Sequence, residues 1–350
     1  MLAPAERRHG GLAGLDAEAR AALVGAERVA DFSANLNPYG PPAALLESIQ
    51  AAPLDAYPDA QAGLARAAWA EQLRSTPEHI AVGHGAADLF WAVCHAVLRP
   101  GDRAHVLEPT FSEFRLAAQA CGASVGRTWL DARDGFRLPL ERLIADAQGT
   151  RALYLCAPNN PTGTQLAPDQ VLRLAHALPE TLIVLDQSFL MLSDHADEAG
   201  LALPDNVASV RSLTKDFALA GLRIGLLWAA PSVVSAVERV RPTWSTSAPA
   251  QAAIARCAGL HGFVAESWSR LEADRAAVTR VLRAHHYEPL PSRTGYQLVP
   301  VGDAASFCQK LLLHGVVARD CSSFGLPEHV RLAARPPADV AQLERALAAL

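Results

Sequence analysis

Lysine is almost absent from this chain of 350 residues. Lys215 and Lys310 are the only two, and the other basic side chains are arginines and histidines. The arginines are scattered and the formal net charge is −5, so composition offers no surface for nucleic acid. Cysteine is scarce as well. Cys94, Cys121, Cys156, Cys257, Cys308 and Cys321 form no CxxC pair and have no metal-like histidine spacing. They are expected to be reduced core thiols of a cytoplasmic protein. No apolar run is long enough to cross a membrane. The opening stretch from Met1 to Leu12 carries Arg7, Arg8 and His9 without an apolar centre, so no secretory leader is expected. Repeats and low-complexity tracts are missing too, which excludes solenoids and disordered tails.

What is present is a large apolar stock. Half the residues are hydrophobic, and the length suits a large domain with a smaller one attached. Against the shortage of lysine, Lys215 stands out. A short apolar strand from Val207 to Val210 leads into Arg211-Ser212-Leu213-Thr214-Lys215, and a second begins at Ile224 after Arg223. An amine at the mouth of a sheet can attach covalently to an aldehyde cofactor, and neighbouring hydroxyls with an arginine can hold a phosphate.

Other polar residues fall where apolar strands end. Ile80 to Val82 runs into Gly83-His84-Gly85-Ala86-Ala87-Asp88, a glycine turn opening a helix. Such a turn exposes backbone N–H groups at the positive end of a helix dipole, which suits phosphate. It lacks the third glycine of a dinucleotide fingerprint. His105 to Glu108 ends at Pro109-Thr110-Phe111, where an aromatic ring could face a planar ligand. Ala152 to Cys156 exits through Ala157-Pro158-Asn159-Asn160-Pro161-Thr162-Gly163. Leu182 to Leu185 ends in Asp186, a carboxylate whose burial needs a positive partner. Ligands of α/β sheets gather at the carboxyl ends of strands, so these residues predict one shared site. Beyond Trp244-Ser245-Thr246-Ser247, a helical region is expected from about Pro249 to His285. Shorter elements follow at Tyr296–Pro300, Asp303–His314, Val316–Arg319 and Val330–Ala334. A helix is also expected over Asp16–Arg28.

Taken together, Asn159-Asn160-Pro161-Thr162-Gly163, Asp186, Ser212-Leu213-Thr214-Lys215 and Arg223-Ile224-Gly225 resemble the fold-type I pyridoxal-phosphate enzymes of the aminotransferase class I/II group. The resemblance covers nearly the whole chain. It implies an α/β fold, with a large mixed-sheet α/β/α domain over residues 36–245. A smaller α+β domain would be made from residues 1–35 and 246–350. Two relatives come to hand, the threonine-phosphate decarboxylase of cobalamin biosynthesis and histidinol-phosphate aminotransferase. His9-Gly10-Gly11, Asp31-Phe32-Ser33-Ala34-Asn35-Leu36-Asn37-Pro38, Pro242-Thr243-Trp244-Ser245, Arg319-Asp320-Cys321-Ser322-Ser323-Phe324-Gly325 and Phe189 look like the decarboxylase. The aminotransferase usually has tyrosine at the place of Phe189. Gln187 and Ser188 depart from the usual pattern after Asp186.

The resemblance implies pyridoxal 5′-phosphate attached to Lys215, with Asp186 at its ring nitrogen, Asn160 at its 3-hydroxyl and Phe111 stacked on its ring. Its phosphate would sit among Gly85, Ala86, Ser212, Thr214 and Arg223, with Tyr57 reaching across a homodimer interface. His9, Gly10, Asn35, Asn160, Arg319 and Arg331 would hold a phosphorylated amino-acid substrate. The expected reaction is decarboxylation of L-threonine O-3-phosphate. The alternatives are amino transfer of the histidinol-phosphate type and a pyridoxal-phosphate-binding protein without catalysis. No helix-turn-helix pattern precedes residue 30, against a regulator.

Overall fold

A short strand β1 (Ala30–Asp31) precedes the strands that carry the site: β2 (Ile80–Gly83), β3 (Arg103–Glu108), β4 (Ser124–Trp129), β5 (Ala152–Cys156), β6 (Leu182–Asp186), β7 (Val207–Arg211) and β8 (Gly225–Trp228). The computed structural model describes residues 10–23 and 28–350. Strands β2 to β8 form one seven-stranded sheet in the order β2-β8-β7-β6-β5-β3-β4. Within it β8 runs against both its neighbours, while the β7-β6-β5-β3-β4 pairings are parallel. β5 and β7 are buried at every position, as continuous apolar strands covered on both faces should be.

The alternation of side chains sorts the two faces. Val106, Tyr154, Val184, Val210 and Leu227 pack under the helices Ala86–Val97, Glu113–Ala120 and Pro231–Val240. Leu107, Leu153, Leu155, Ile183 and Leu185 pack against Leu140–Ala147 and Pro168–Ala177. On that second side the β2 and β8 residues Ile80, Val82, Leu226 and Trp228 meet Trp69 and Ile254.

The remaining strands are β9 (Tyr296–Pro300), β10 (Val316–Val317), β11 (Arg319–Asp320) and β12 (His329–Ala333). β11, β12 and β9 form an antiparallel sheet, and β10 pairs in parallel with β1. Phe32, Val278, Leu282, Phe307, Leu311, Leu332 and Leu343 fill the core beside them.

Three sequence expectations are corrected. The helical region from Pro249 to His285 is two helices, Ala248–Cys257 and His261–Ala284. Gly259 and Leu260 instead donate to Arg256 and Cys257, three residues back, at 3.2 and 3.1 Å. Glycine, a poor helix residue, sits at that break. The strand over Val316–Arg319 is likewise two, each with a different partner. The helix expected over Asp16–Arg28 is seen as Ala17–Ala22, with Asp16 as its cap, accepting from the Ala19 N–H at 2.9 Å, and it ends at Leu23; residues 24–27 lie outside the described residues. Among the described residues no helix is long and apolar enough to cross a membrane.

Candidate functional site

The carboxyl ends of β2, β3, β5, β6 and β7 open on one mouth, and the reversal of β8 brings its starting end there as well. Asp186, the last residue of β6, is buried. Its Oδ2 accepts from the Tyr154 hydroxyl at 2.8 Å and its Oδ1 from the Ser188 N–H at 2.9 Å. Burial pushes its carboxyl upward from the usual carboxylate range. The Ser188 and Tyr154 hydrogen bonds and the Lys215 charge pull it back.

Lys215 sits in the short helix Leu213–Asp216 that follows β7. Burial, and next the Arg223 guanidinium, lower its pKa to about 8, with Asp186 acting in the opposite direction. The segment is tied down from outside. The Asn37 N–H donates to the Lys215 carbonyl at 3.1 Å, and the Asn37 amide to the Asp216 carbonyl at 2.9 Å.

The predicted phosphate residues converge. The buried hydroxyls of Ser212 and Thr214 lie 2.6 Å apart. Arg223, with φ of 58°, is steadied by a bond from its Nη1 to the Ala220 carbonyl at 3.0 Å. A Cβ added to Gly85, where φ is +86°, would lie 2.6 Å from Arg223 Nη2. So the guanidinium lies against the turn that opens the helix Ala86–Val97. A Cβ on Gly225 would meet the backbone of Gly85 and Ala86 at 2.6 and 2.8 Å, which explains the glycine at the start of β8. Asp88 Oδ2 accepts from the His84 N–H at 3.0 Å and fixes the turn. Phe111, past the end of β3, packs against the cluster containing Phe114 and Tyr154.

On the other side of the mouth, Arg331 of β12 is buried. Its Nη2 donates to the Ser33 carbonyl at 2.6 Å and its Nη1 to the Asn160 side-chain oxygen. Its Nε has no partner among the described residues and is closed to solvent. Burial above all lowers its pKa to about 10, so it stays cationic at neutral pH. Arg319 is its cross-strand partner. That side chain is held by the Asp320 carbonyl at 2.9 Å and the Ser323 hydroxyl at 2.7 Å, with Phe324 beneath. A Cβ on Gly10 would overlap the Ser33 carbonyl and stand 3.4 Å from Arg331 Nη2. Both amide atoms of Asn35 are buried and lack partners. Buried polar atoms are normally hydrogen-bonded, so these atoms stand out among the described residues.

His9 lies outside the described residues. Tyr57 stands apart from the mouth, 79% exposed, with its ring stacked on Trp244 at 4.4 Å. Asn159 is a structural neighbour of Asn160. It bonds Pro109, Thr110 and Thr162 at 2.9 Å each, and its carbonyl accepts from Tyr296 at 2.9 Å. Gln187 turns to the buried Ser209 and Arg211, at 2.6 and 3.2 Å. Phe189 packs edge-on against Tyr296. Tyr154 escaped the sequence reading. Its one signal was a hydroxyl inside an otherwise apolar strand, which burial obliges to find a partner.

With this geometry in place, the comparisons with known proteins decide the family. The sequence model of aminotransferase class I and II matches residues 27–350. The chain belongs to that family. A histidinol-phosphate aminotransferase of Anaeromyxobacter is 32% identical over 317 residues, 88% of this chain and 87% of the relative. That of Methanopyrus kandleri is 34% identical over 262 residues, 73% of this chain and 66% of the relative. The fold is that of histidinol-phosphate aminotransferase from Sinorhizobium meliloti, whose structure contains pyridoxal 5′-phosphate. The TM-score is 0.86 at 24% identity, covering 99% of this chain and 96% of that one. The residues at the mouth fit the same group. A buried acid, a lysine, two hydroxyls, an arginine and a helix-opening glycine turn are the chemistry that a ring nitrogen, an aldehyde and a phosphate would call for. Pyridoxal 5′-phosphate is the cofactor of this family member.

Proposed function

We propose that this chain is a pyridoxal-phosphate-dependent aminotransferase of the histidinol-phosphate type, acting on a small phosphorylated amine or amino acid. One observation carries the substrate class. Arg331 is buried, its Nε without a partner among the described residues, opposite Arg319 and close to Gly10, and the Asn35 amide is likewise buried without a partner among them. Two desolvated guanidiniums with hydrogen-bonding neighbours suit phosphate or carboxylate, each oxygen taking an N–H. Amino transfer rests on the relatives, which bear the name histidinol-phosphate aminotransferase.

When bound, the cofactor supplies an electron sink for a bond broken at the amino-bearing carbon. The protein would do the rest. Lys215 would hold the cofactor, and its Nζ, with a pKa lowered to about 8, would take and return a proton near neutrality. Asp186 would stabilise a proton on the ring nitrogen. Ser212, Thr214, Arg223 and the N–H groups of Gly85 and Ala86 would anchor the phosphate. Phe111 would cover the ring, and Asn160, whose side-chain oxygen accepts from Arg331, would offer its N–H to the 3-hydroxyl. Tyr57, exposed beside Leu54 and Leu64, fits a homodimer in which each copy lends that hydroxyl to its partner. The absence of disulfides among its cysteines suits a cytoplasmic setting.

A second reading, decarboxylation of L-threonine O-3-phosphate, is favoured by Phe189. It puts an apolar ring, packed on Tyr296, where the resemblance implies a tyrosine in the aminotransferases. The two reactions differ in which bond at the amino-bearing carbon is broken, the one to hydrogen or the one to the carboxylate. The test is purified protein given histidinol phosphate with 2-oxoglutarate, and separately threonine phosphate. Glutamate formed without carbon dioxide supports amino transfer. Carbon dioxide from threonine phosphate without keto-acid consumption overturns it in favour of the second reading.

A further inference from the structure

The hydroxyl beneath the Asp186 carboxylate has no role in the reading above. In the β5–β6 register Cys156 lies opposite Asp186 and Tyr154 opposite Val184. Tyr154 is therefore one same-face step further back, a diagonal a long side chain can span. Its ring is clamped by Phe114, stacked at 5.0 Å, and Phe90, edge-on at 5.4 Å. The hydroxyl so aimed meets Asp186 Oδ2 at 2.8 Å, and the Ser188 N–H takes Oδ1. Both carboxylate oxygens thus have protein donors, and the plane of the carboxylate is set before any ligand arrives.

We propose that Tyr154 is a positioning residue: by donating to Asp186 it orients the carboxylate and governs how that carboxylate shares a proton with the ring nitrogen of the cofactor. This rests on the reading that Asp186 meets that nitrogen. A hydroxyl sealed in an aromatic cluster costs free energy unless it is bonded, and a carboxylate is a strong acceptor. Burial holds the Tyr154 hydroxyl well above its ordinary range, so it remains a donor wherever the enzyme works. Lys215, Cys156 and Tyr296 are the other titratable groups that act on Asp186 or respond to it. The Tyr154 hydroxyl is the side-chain donor on Oδ2, at 2.8 Å, and Cys156 interacts with the same carboxylate from the neighbouring strand position. Removing this donor makes the carboxylate more basic and draws the shared proton toward it.

The experiment loads wild-type protein and Tyr154→Phe with pyridoxal phosphate carrying a heavy-nitrogen label in the ring, and follows that nitrogen by NMR. The Phe variant keeps the ring stack. Its nitrogen resonance is expected to move toward the unprotonated position. In the same variant kcat is expected to fall about ten-fold, with KM for the amino substrate within about two-fold. Fluorotyrosine placed at position 154 is a stronger donor of nearly the same shape and should move the resonance the opposite way. A folded, loaded Phe variant with the wild-type resonance overturns the proposal, as does movement of both variants in one direction. Wild-type protein that takes up no labelled cofactor would instead sink the reading of the site, and this proposal with it.

Discussion

At the scale of single residues, the amine of Lys215 is the decisive group. Lys215→Ala is expected to abolish turnover and the visible absorbance of the loaded protein, checked by spectroscopy and assay. Its pKa of about 8 gives a second expectation. Only the neutral amine attacks an aldehyde, so capture of free cofactor by bare protein should speed up about ten-fold per pH unit below 8 and level off above it. Stopped-flow absorbance across that range measures it; a rate still climbing about ten-fold per unit between about pH 8 and 10 would contradict the lowered pKa. Gly85→Ala would strain a φ of +86° and press a methyl on Arg223, so cofactor affinity should fall, by titration, about ten-fold or more. Lys215 and Asp186 were legible because each is a charge set against an apolar strand, where composition alone raises a question. Tyr154 was not, because a tyrosine in a buried strand reads as ordinary core until its hydroxyl is followed to Asp186. Asn35 was named by the resemblance, but only the fold shows that its amide has no partner among the described residues.

At the scale of elements, the sequence carried strand existence better than strand relations. β5, β6 and β7 were readable as apolar runs with polar exits. The direction of β8 was not, because an apolar tetrapeptide has the same pattern run either way. The division of Val316–Arg319 into β10 and β11 depends on two different partners, which no local pattern reports. The juxtaposition of Arg319 and Arg331 comes from that antiparallel pairing alone. Helix starts were more legible where a cap supplied chemistry. Asp303 accepts from the Ser306 N–H at 3.0 Å at the head of Ala304–Leu312. Asp303→Ala should cost about 1 kcal/mol, read as a lower urea midpoint, with the cofactor absorbance unchanged.

At the scale of the whole molecule, Leu54, Tyr57 and Leu64 are 84%, 79% and 85% exposed. Large apolar side chains left in water on neighbouring segments favour a second copy. The protein should sediment as a homodimer, and Leu64→Arg should shift it toward monomer and lower cofactor affinity along with it. A variant that becomes monomeric yet binds cofactor as before would show that Tyr57 serves no neighbouring copy. Composition gave no sign of self-association, because which apolar residues stay outside is visible only in coordinates.

The reversed β8 has one more effect. The stretch from Ser212 to Gly225 leaves the sheet and rejoins it at the same rim, pinned at both ends and stitched by Asn37 to the chain's beginning. A tether fastened in this way has little slack, so its shape is settled in the bare protein. Amide exchange along it should already be slow there, and loading the cofactor should change it little. The grip proposed for the phosphate would then be ready-made, and no rearrangement would have to precede attack by the amine.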